Sequence, residues 1–271
     1  MMPRTTLLTP KWLAGHLLAL VLVALFVNFG FWQLRRLDQA RNRNEIIEAR
    51  SALPAQSPAA VLALGDDISY VPVAVQGEYA PGSEVLLRGR STGGPGFHLL
   101  TPLVLGAQHG ELAGAAVLVE RGWVPYDMDE VPVAAALPPS GSVQVLGEAF
   151  PPQLPPTGAL AGLAAHDPPE GVLTQSFYVD VARLQPQMPF ELLPMYIKLR
   201  SQTPETVGAL PTPLPPQQVD LGPHLGYALQ WFSFAVIGVV GYFFLLRSVV
   251  RPRDAAQAAA TQGASGDPGA S

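Results

Sequence analysis

The chain has 271 residues, a formal charge of −5 and no cysteine, which excludes disulfides, CxxC redox chemistry, cysteine-based zinc sites, thiolate copper transfer and c-type haem attachment. The charge is unevenly placed: residues 51–226 carry 16 Asp and Glu against 6 Lys and Arg. A domain this acidic does not match phosphate backbones, whose binding needs clustered cations, so nucleic acid is excluded as a partner.

After a short start, residues 1–11, comes an apolar run, Trp12–Phe31, without Asp, Glu, Lys or Arg over twenty residues. A helix needs ~20 apolar residues to cross a bilayer core, so a transmembrane helix is expected over 12–32. Arg4 and Lys11 resemble the basic start of a signal peptide. The run exceeds a normal signal core, however, and ends in Asn28–Gln33 without a small-residue cleavage site, so an uncleaved anchor is expected. Gln33–Arg50 contains no Gly or Pro and is rich in helix formers, which predicts a helical extension over 33–50.

Leu53–Pro58 breaks that helix, and a short helix is expected at Ala59–Leu64. Strand-like segments follow at Tyr70–Tyr79, Glu84–Arg90, Phe97–Leu105, Ala115–Val124, Ser142–Phe150, Gln175–Val181 and Met195–Ser201. Gly93-Gly94-Pro95-Gly96 lacks the GK[ST] ending of a phosphate cradle and reads as a loop. Thr203–Pro223, with six prolines, reads as an extended strap into a second apolar run, Tyr227–Leu246, again without charge. A basic segment from Arg247 and a low-complexity tail, Asp254–Ser271, complete residues 247–271. The expected fold class is therefore a membrane protein, with two transmembrane helices (12–32 and 227–246) flanking a β-rich α+β extracytoplasmic domain at 51–226, barrel- or sandwich-like.

Orientation rests on basic residues near the spans. Arg247, Arg251 and Arg253 follow the second span and none precedes it closely, which places both termini in the cytoplasm and the domain outside the cell membrane. The first span votes the other way, through Arg35, Arg36, Arg41, Arg43 and Arg50 after it. A hairpin must have both ends on one side, and the complete asymmetry of the second span decides. The outer arginines then need a reason to be there.

No HExxH, GxSxG, P-loop or paired-carboxylate pattern is present. His98, His109 and His166 lack ligand-like spacing. His224 follows Pro223 at the outer lip of the second span, and Tyr227 and Trp231 share its helical face. Trp32 and Gln33 end the first span at that depth, with Arg36 one turn further out. This gathering reads either as an aromatic belt with snorkelling arginines or as a site for an amphipathic macrocycle. In the second case an imidazole ligates iron, aromatic faces cover the ring and a guanidinium pairs with propionates. His16 cannot share that iron, because the two levels differ by roughly 25 Å along a helix.

Gly30-Phe31-Trp32-Gln33-Leu34-Arg35-Arg36 resembles the G-x-W-Q-x-x-R signature that closes the first span of the Surfeit locus protein 1 family. The likeness continues in order through Gly77-Glu78-Tyr79, Arg88 with Gly94 and Gly96, Thr101-Pro102-Leu103 and Val119-Glu120-Arg121-Gly122-Trp123-Val124-Pro125. It ends at His224-Leu225-Gly226-Tyr227-Ala228-Leu229-Gln230-Trp231, similar to the family's H-x-x-Y-x-x-x-W. Two positions depart from it. Glu120 stands where Asn is usual, which leaves the partner of Arg121 open, and Ala40 stands where a Lys often follows the first signature. Arg121-Gly122-Trp123 is expected to form a turn that closes a strand.

The resemblance implies a non-enzymatic assembly factor for haem–copper cytochrome c oxidase that binds haem a and assists its insertion into the catalytic subunit. His224 becomes the implied iron ligand, with Tyr227, Trp231, Trp32 and Arg36 around the ring. The implied partners are the oxidase catalytic subunit, the haem a biosynthesis machinery and the lipid bilayer. The alternative is a cofactor-free membrane scaffold that stabilises an oxidase assembly intermediate. A copper chaperone is disfavoured, since Met128, Met188 and Met195 are too scattered to form a soft site.

Overall fold

With nothing between Gln33 and Arg50 to interrupt it, the first helix runs on past its apolar run. In the computed structural model α1 spans Pro10–Ser51, 42 residues. The model describes residues 8–92, 94–158, 161–217 and 219–250; Arg4, Arg251, Arg253 and the low-complexity tail lie outside them. The chain divides into two units. One comprises the described residues up to Asn44 together with those from Asp220, and the other is Glu45–Val219.

In the first unit α1 meets the last helix, α4 (His224–Val250), antiparallel. Both helices are long and apolar enough to cross a membrane. Their facing residues follow a 3.5-residue repeat. His16, Val23, Phe26, Gly30 and Gln33 are covered or half-covered on α1, as are His224, Ala228, Trp231, Ala235, Gly238 and Tyr242 on α4. That repeat keeps one seam turned toward a partner helix, as in a coiled coil. Gly30 is required there: a Cβ on it would stand 2.5 Å from Cε1 of Phe232. The outward faces, with Leu17, Leu20, Val236 and Phe244 exposed, are the surface that hydrocarbon would cover.

The second unit opens with a short helix, α2 (Pro58–Leu62), capped by the Ser57 hydroxyl, which accepts from the Ala60 N–H at 3.3 Å. Seven strands follow: β1 (Val71–Tyr79), β2 (Val85–Ser91), β3 (Pro95–Leu105), β4 (Ala116–Pro125), β5 (Ser142–Phe150), β6 (Gln175–Ser176) and β7 (Leu192–Thr203). They form one mixed sheet in the order β1-β5-β7-β4-β3-β2-β6. A further pairing of β1 with β3, Gly77 opposite Leu105, closes five of them into a barrel. Alternation sorts the side chains. Val73, Val75, Val119, Val145, Met195 and Ile197 fill one core, and Leu118, Phe150 and Tyr196 pack on the other face against the short helix α3 (Val181–Leu184).

Two expectations change. The segment Gln175–Val181 pairs as a strand only at Gln175 and Ser176, because Asp180 caps α3 by accepting from the Arg183 N–H at 3.1 Å. Arg121-Gly122-Trp123 is not a turn but the interior of β4, where Arg121 is the extra residue of a bulge against Leu99 and Leu100 of β3. Gly122 has φ 153°, and a Cβ there would lie 2.5 Å from the Thr212 carbonyl oxygen. The proline-rich strap crosses at that point, held by two hydrogen bonds between the backbones of Trp123 and Thr212, at 2.8 and 2.9 Å.

Candidate functional site

Gly222, with φ +65°, turns the chain so that α4 begins at His224, directly after Pro223. The His224 imidazole then reaches across the seam, with Nδ1 2.9 Å from Oε1 of Gln33, 191 positions earlier in the chain. Since that amide oxygen accepts, Nδ1 carries the proton and Nε2 keeps its lone pair. A Cβ on Gly222 would come 3.3 Å from Nε2, so the glycine keeps the approach to that nitrogen open. Gln33 itself is only 8% exposed, so the bond is sheltered from competing water.

The other sequence-predicted site residues fall in distinct places. Trp231 lies two turns further along α4, its ring 5.0 Å from Phe29 and 5.8 Å from Phe26, so it is a seam residue that fixes the helix contact. Trp32 is 43% exposed and carries the Arg36 guanidinium 5.8 Å from its ring centre. Arg36 also donates to Gln39 at 3.2 Å. Tyr227 is 48% exposed on the flank of α4. An exposed phenol and an indole–guanidinium pair thus belong to the same unit as a half-buried imidazole. His16 pairs instead with the Tyr242 hydroxyl at the other end of the seam.

Gln33 is the residue that motif reasoning underused. Its depth placed it beside His224, but its facing did not follow from depth. The 3.5-residue spacing from His16 through Val23, Phe26 and Gly30 to Gln33 was the available signal, because it puts Gln33 on the seam and Trp32 off it.

The barrel holds two further polar groupings. Arg121 is buried: Nη1 donates to the Ala136 carbonyl at 2.9 Å and stands 3.5 Å from Glu84 Oε2, and the guanidinium lies 5.3 Å from the Tyr79 ring centre. Glu84 also accepts from the Thr101 hydroxyl at 2.6 Å and the Val133 N–H at 3.0 Å. Burial pushes the Glu84 carboxyl up, against those two bonds and the Arg121 charge, and it lowers the Arg121 guanidinium against Tyr79 and Glu84. The partners of Arg121 are thereby identified, and they are structural.

In the second grouping His98 Nδ1 lies 2.6 Å from Glu120 Oε1, and His98 Nε2 lies 3.0 Å from the Thr92 hydroxyl. Burial raises the Glu120 carboxyl, but the His98 hydrogen bond and the charges of Lys198, His98 and Arg90 outweigh it and hold it below the ordinary value. Among the described residues no group of three or more His, Asp or Glu is placed to hold a metal ion. One imidazole ligand to a haem iron would need no such group, and the residues at His224 fit a haem in kind: a ring with one nitrogen open, exposed aromatic surface and a guanidinium.

A family model described as the SURF1 family matches residues 20–236. An uncharacterised SURF1-like protein of Mycobacterium tuberculosis is 28% identical over 268 residues, covering 93% of this chain and 90% of its own length. A SURF1-like protein of Rickettsia felis is 24% identical over 239 residues, covering 87% of this chain and 98% of its own.

Proposed function

This chain belongs to the SURF1 family, whose members are generally cytochrome c oxidase assembly factors, and we propose that it receives haem a at His224 and assists its delivery to the oxidase catalytic subunit. The observation that carries this reading is the Gln33–His224 hydrogen bond, which leaves Nε2 as the basic nitrogen at a half-open position. When bound, haem would supply an iron centre that the His224 imidazole could ligate.

The chain's own residues do the rest. Gln33 holds the ring in one tautomer and one orientation. Trp32 and Tyr227 offer apolar surface, and Arg36 offers a cation to propionates. Trp231, wedged among Phe26 and Phe29, keeps the two helices in register beneath the site. One axial ligand suits a carrier, because cargo that must be passed on cannot be held irreversibly. The proposed role is non-catalytic. We place both termini in the cytoplasm and the domain outside; an alkaline phosphatase fusion after Ser140 that stays inactive would refute that placement.

The competing reading is a scaffold without cofactor, and the commitment of the Trp231 ring to Phe26 and Phe29 favours it, since that face is not available to a macrocycle. Purification of the full chain from haem a-producing membranes separates the two. The wild-type and His16→Ala proteins are expected to retain the haem spectrum and His224→Ala to lose it while remaining in the membrane. Wild-type protein purified without haem would leave the scaffold reading, and stoichiometric haem with an unshifted Soret band in His224→Ala would refute the ligand assignment.

A further inference from the structure

Half of the barrel domain's six Lys and Arg line one cavity. Arg90, Lys198 and Arg200 face it together with His98, Glu120 and Glu148, although the domain as a whole is strongly acidic. The sheet explains the gathering. Lys198 on β7 sits directly opposite Glu148 on β5 and Glu120 on β4, so these side chains project from the same face. Arg200, two residues along β7, joins them there. The strap closes the other side through Leu214 and Pro215.

The charges of this wall do not satisfy one another. Glu120 is engaged by His98 at 2.6 Å, and Glu148 takes two bonds from Arg200 on one oxygen, at 3.0 and 2.5 Å. Lys198, despite its register between two carboxylates, rests its ammonium 4.6 Å from the centre of the Phe150 ring. Arg90 donates to the neutral amide of Gln153. Among the described residues neither Lys198 nor Arg90 has a carboxylate within salt-bridge distance. Arg90 Nε and Glu148 Oε2 are buried without a hydrogen-bond partner. Three cations against two carboxylates leave one positive charge in excess even with His98 neutral. Half-buried charge of that kind carries a desolvation cost that a bound anion would offset.

We propose that this cavity, about 160 Å³, binds a small singly charged oxyanion, a carboxylate or phosphodiester group, between Lys198 and Arg90 under the strap. The volume suits one such group, given that a liquid water occupies about 30 Å³. Guanidinium and ammonium donors are the chemistry that recognises oxyanions. The group comes either from a soluble metabolite or from a phospholipid head, since both present the same oxygens. The proposal is independent of haem binding at His224.

The test uses the purified full chain in neutral detergent, with thermal unfolding followed at constant ionic strength. One arm adds acetate or dimethyl phosphate in place of chloride, and the other adds phosphatidylglycerol in nanodiscs against phosphatidylcholine alone. A saturable rise in Tm in the first arm assigns a soluble ligand, and a rise confined to the second assigns a lipid head. In either case Lys198→Met should weaken the apparent Kd about tenfold or more and Lys198→Arg should largely preserve it. If Lys198→Met does not fold, Arg90→Gln at the half-exposed rim decides by the same measure. No rise over chloride in either arm, or an equal rise in the variants, overturns the proposal.

Discussion

The membrane hairpin and the barrel treat polar side chains in opposite ways. In the hairpin the outward faces are apolar, and the polar groups His16, Gln33, His224 and Tyr242 lie on the seam as hydrogen-bonded pairs. In the barrel the core positions are mostly Val, Leu and Ile, and beside neutral Thr101, Ser176 and Gln202 the buried polar groups include the ions Glu84, Glu120 and Arg121. The surroundings explain the inversion. In hydrocarbon a lone charge has no water to retreat to, so one neutral bond between helices is the cheaper arrangement. A barrel bathed in water can bury an ion where strands and loops supply enough donors and acceptors. The consequence is functional. Arg121 is buried with Nη1 on Ala136 and Glu84 and its face near Tyr79, while its Nε and Nη2 are buried without a hydrogen-bond partner; His224 engages Nδ1 and keeps Nε2 at a half-open position.

The sharpest way to break this contrast is Arg121→Met. It leaves Glu84 buried without its cation and should cost about 3–5 kcal/mol of domain stability. The Glu84 carboxyl is raised above 4.5 in the folded state, so the fold binds the extra proton and this group's contribution weakens as pH rises above that value. The cost of Arg121→Met should therefore be smaller at mildly acid pH, read by thermal unfolding across pH. Haem retained per surviving molecule should be unchanged, and selective loss of haem with full stability would make Arg121 a functional group.

Gly122→Val comes next. A side chain there meets the Thr212 carbonyl and a left-handed backbone angle, so the strap must lift or the strand must shift, at about 1–3 kcal/mol. Protein abundance in the membrane should fall while haem per molecule holds.

Gln33→Leu probes the other side of the comparison. The seam keeps its packing but the imidazole loses its anchor, which should weaken haem affinity about 10- to 100-fold with membrane abundance intact. Gln33→Glu, which still accepts from Nδ1, should retain the ligand and lower the haem midpoint potential. Unfolding of Gln33→Leu to the extent seen for Arg121→Met would erase the distinction between the two regions.

The smallest effect expected is Glu120→Gln. The wild-type carboxyl is held below 4.5, so its stabilisation is present above that pH and is lost as pH falls through its lower folded value. The variant should have a modestly lower Tm than wild type near neutrality and a shallower decline below pH 4.5, so that the difference closes in acid.

Local pattern was enough for much of this architecture. Two uncharged runs define the helices that can span, and alternating or continuous apolar segments between turn residues marked the strands in their order, although β6 proved two residues long. Depth along an antiparallel hairpin also brought Gln33 level with His224, because helix rise is constant. What alternation cannot carry is which strand pairs with which. The β1–β3 contact that selects a barrel, and the arrival of Glu84, Ala136 and Thr212 around Arg121 and Gly122, join segments dozens of residues apart. Likewise, whether Trp32 or Gln33 faces the imidazole depends on how α1 rolls against α4, and that roll is set by Gly30 seating Phe232 and by Trp231 between Phe26 and Phe29. Periodicity and composition are properties of a segment. Facing and closure come from packing, where many weak contacts between distant segments choose one arrangement together.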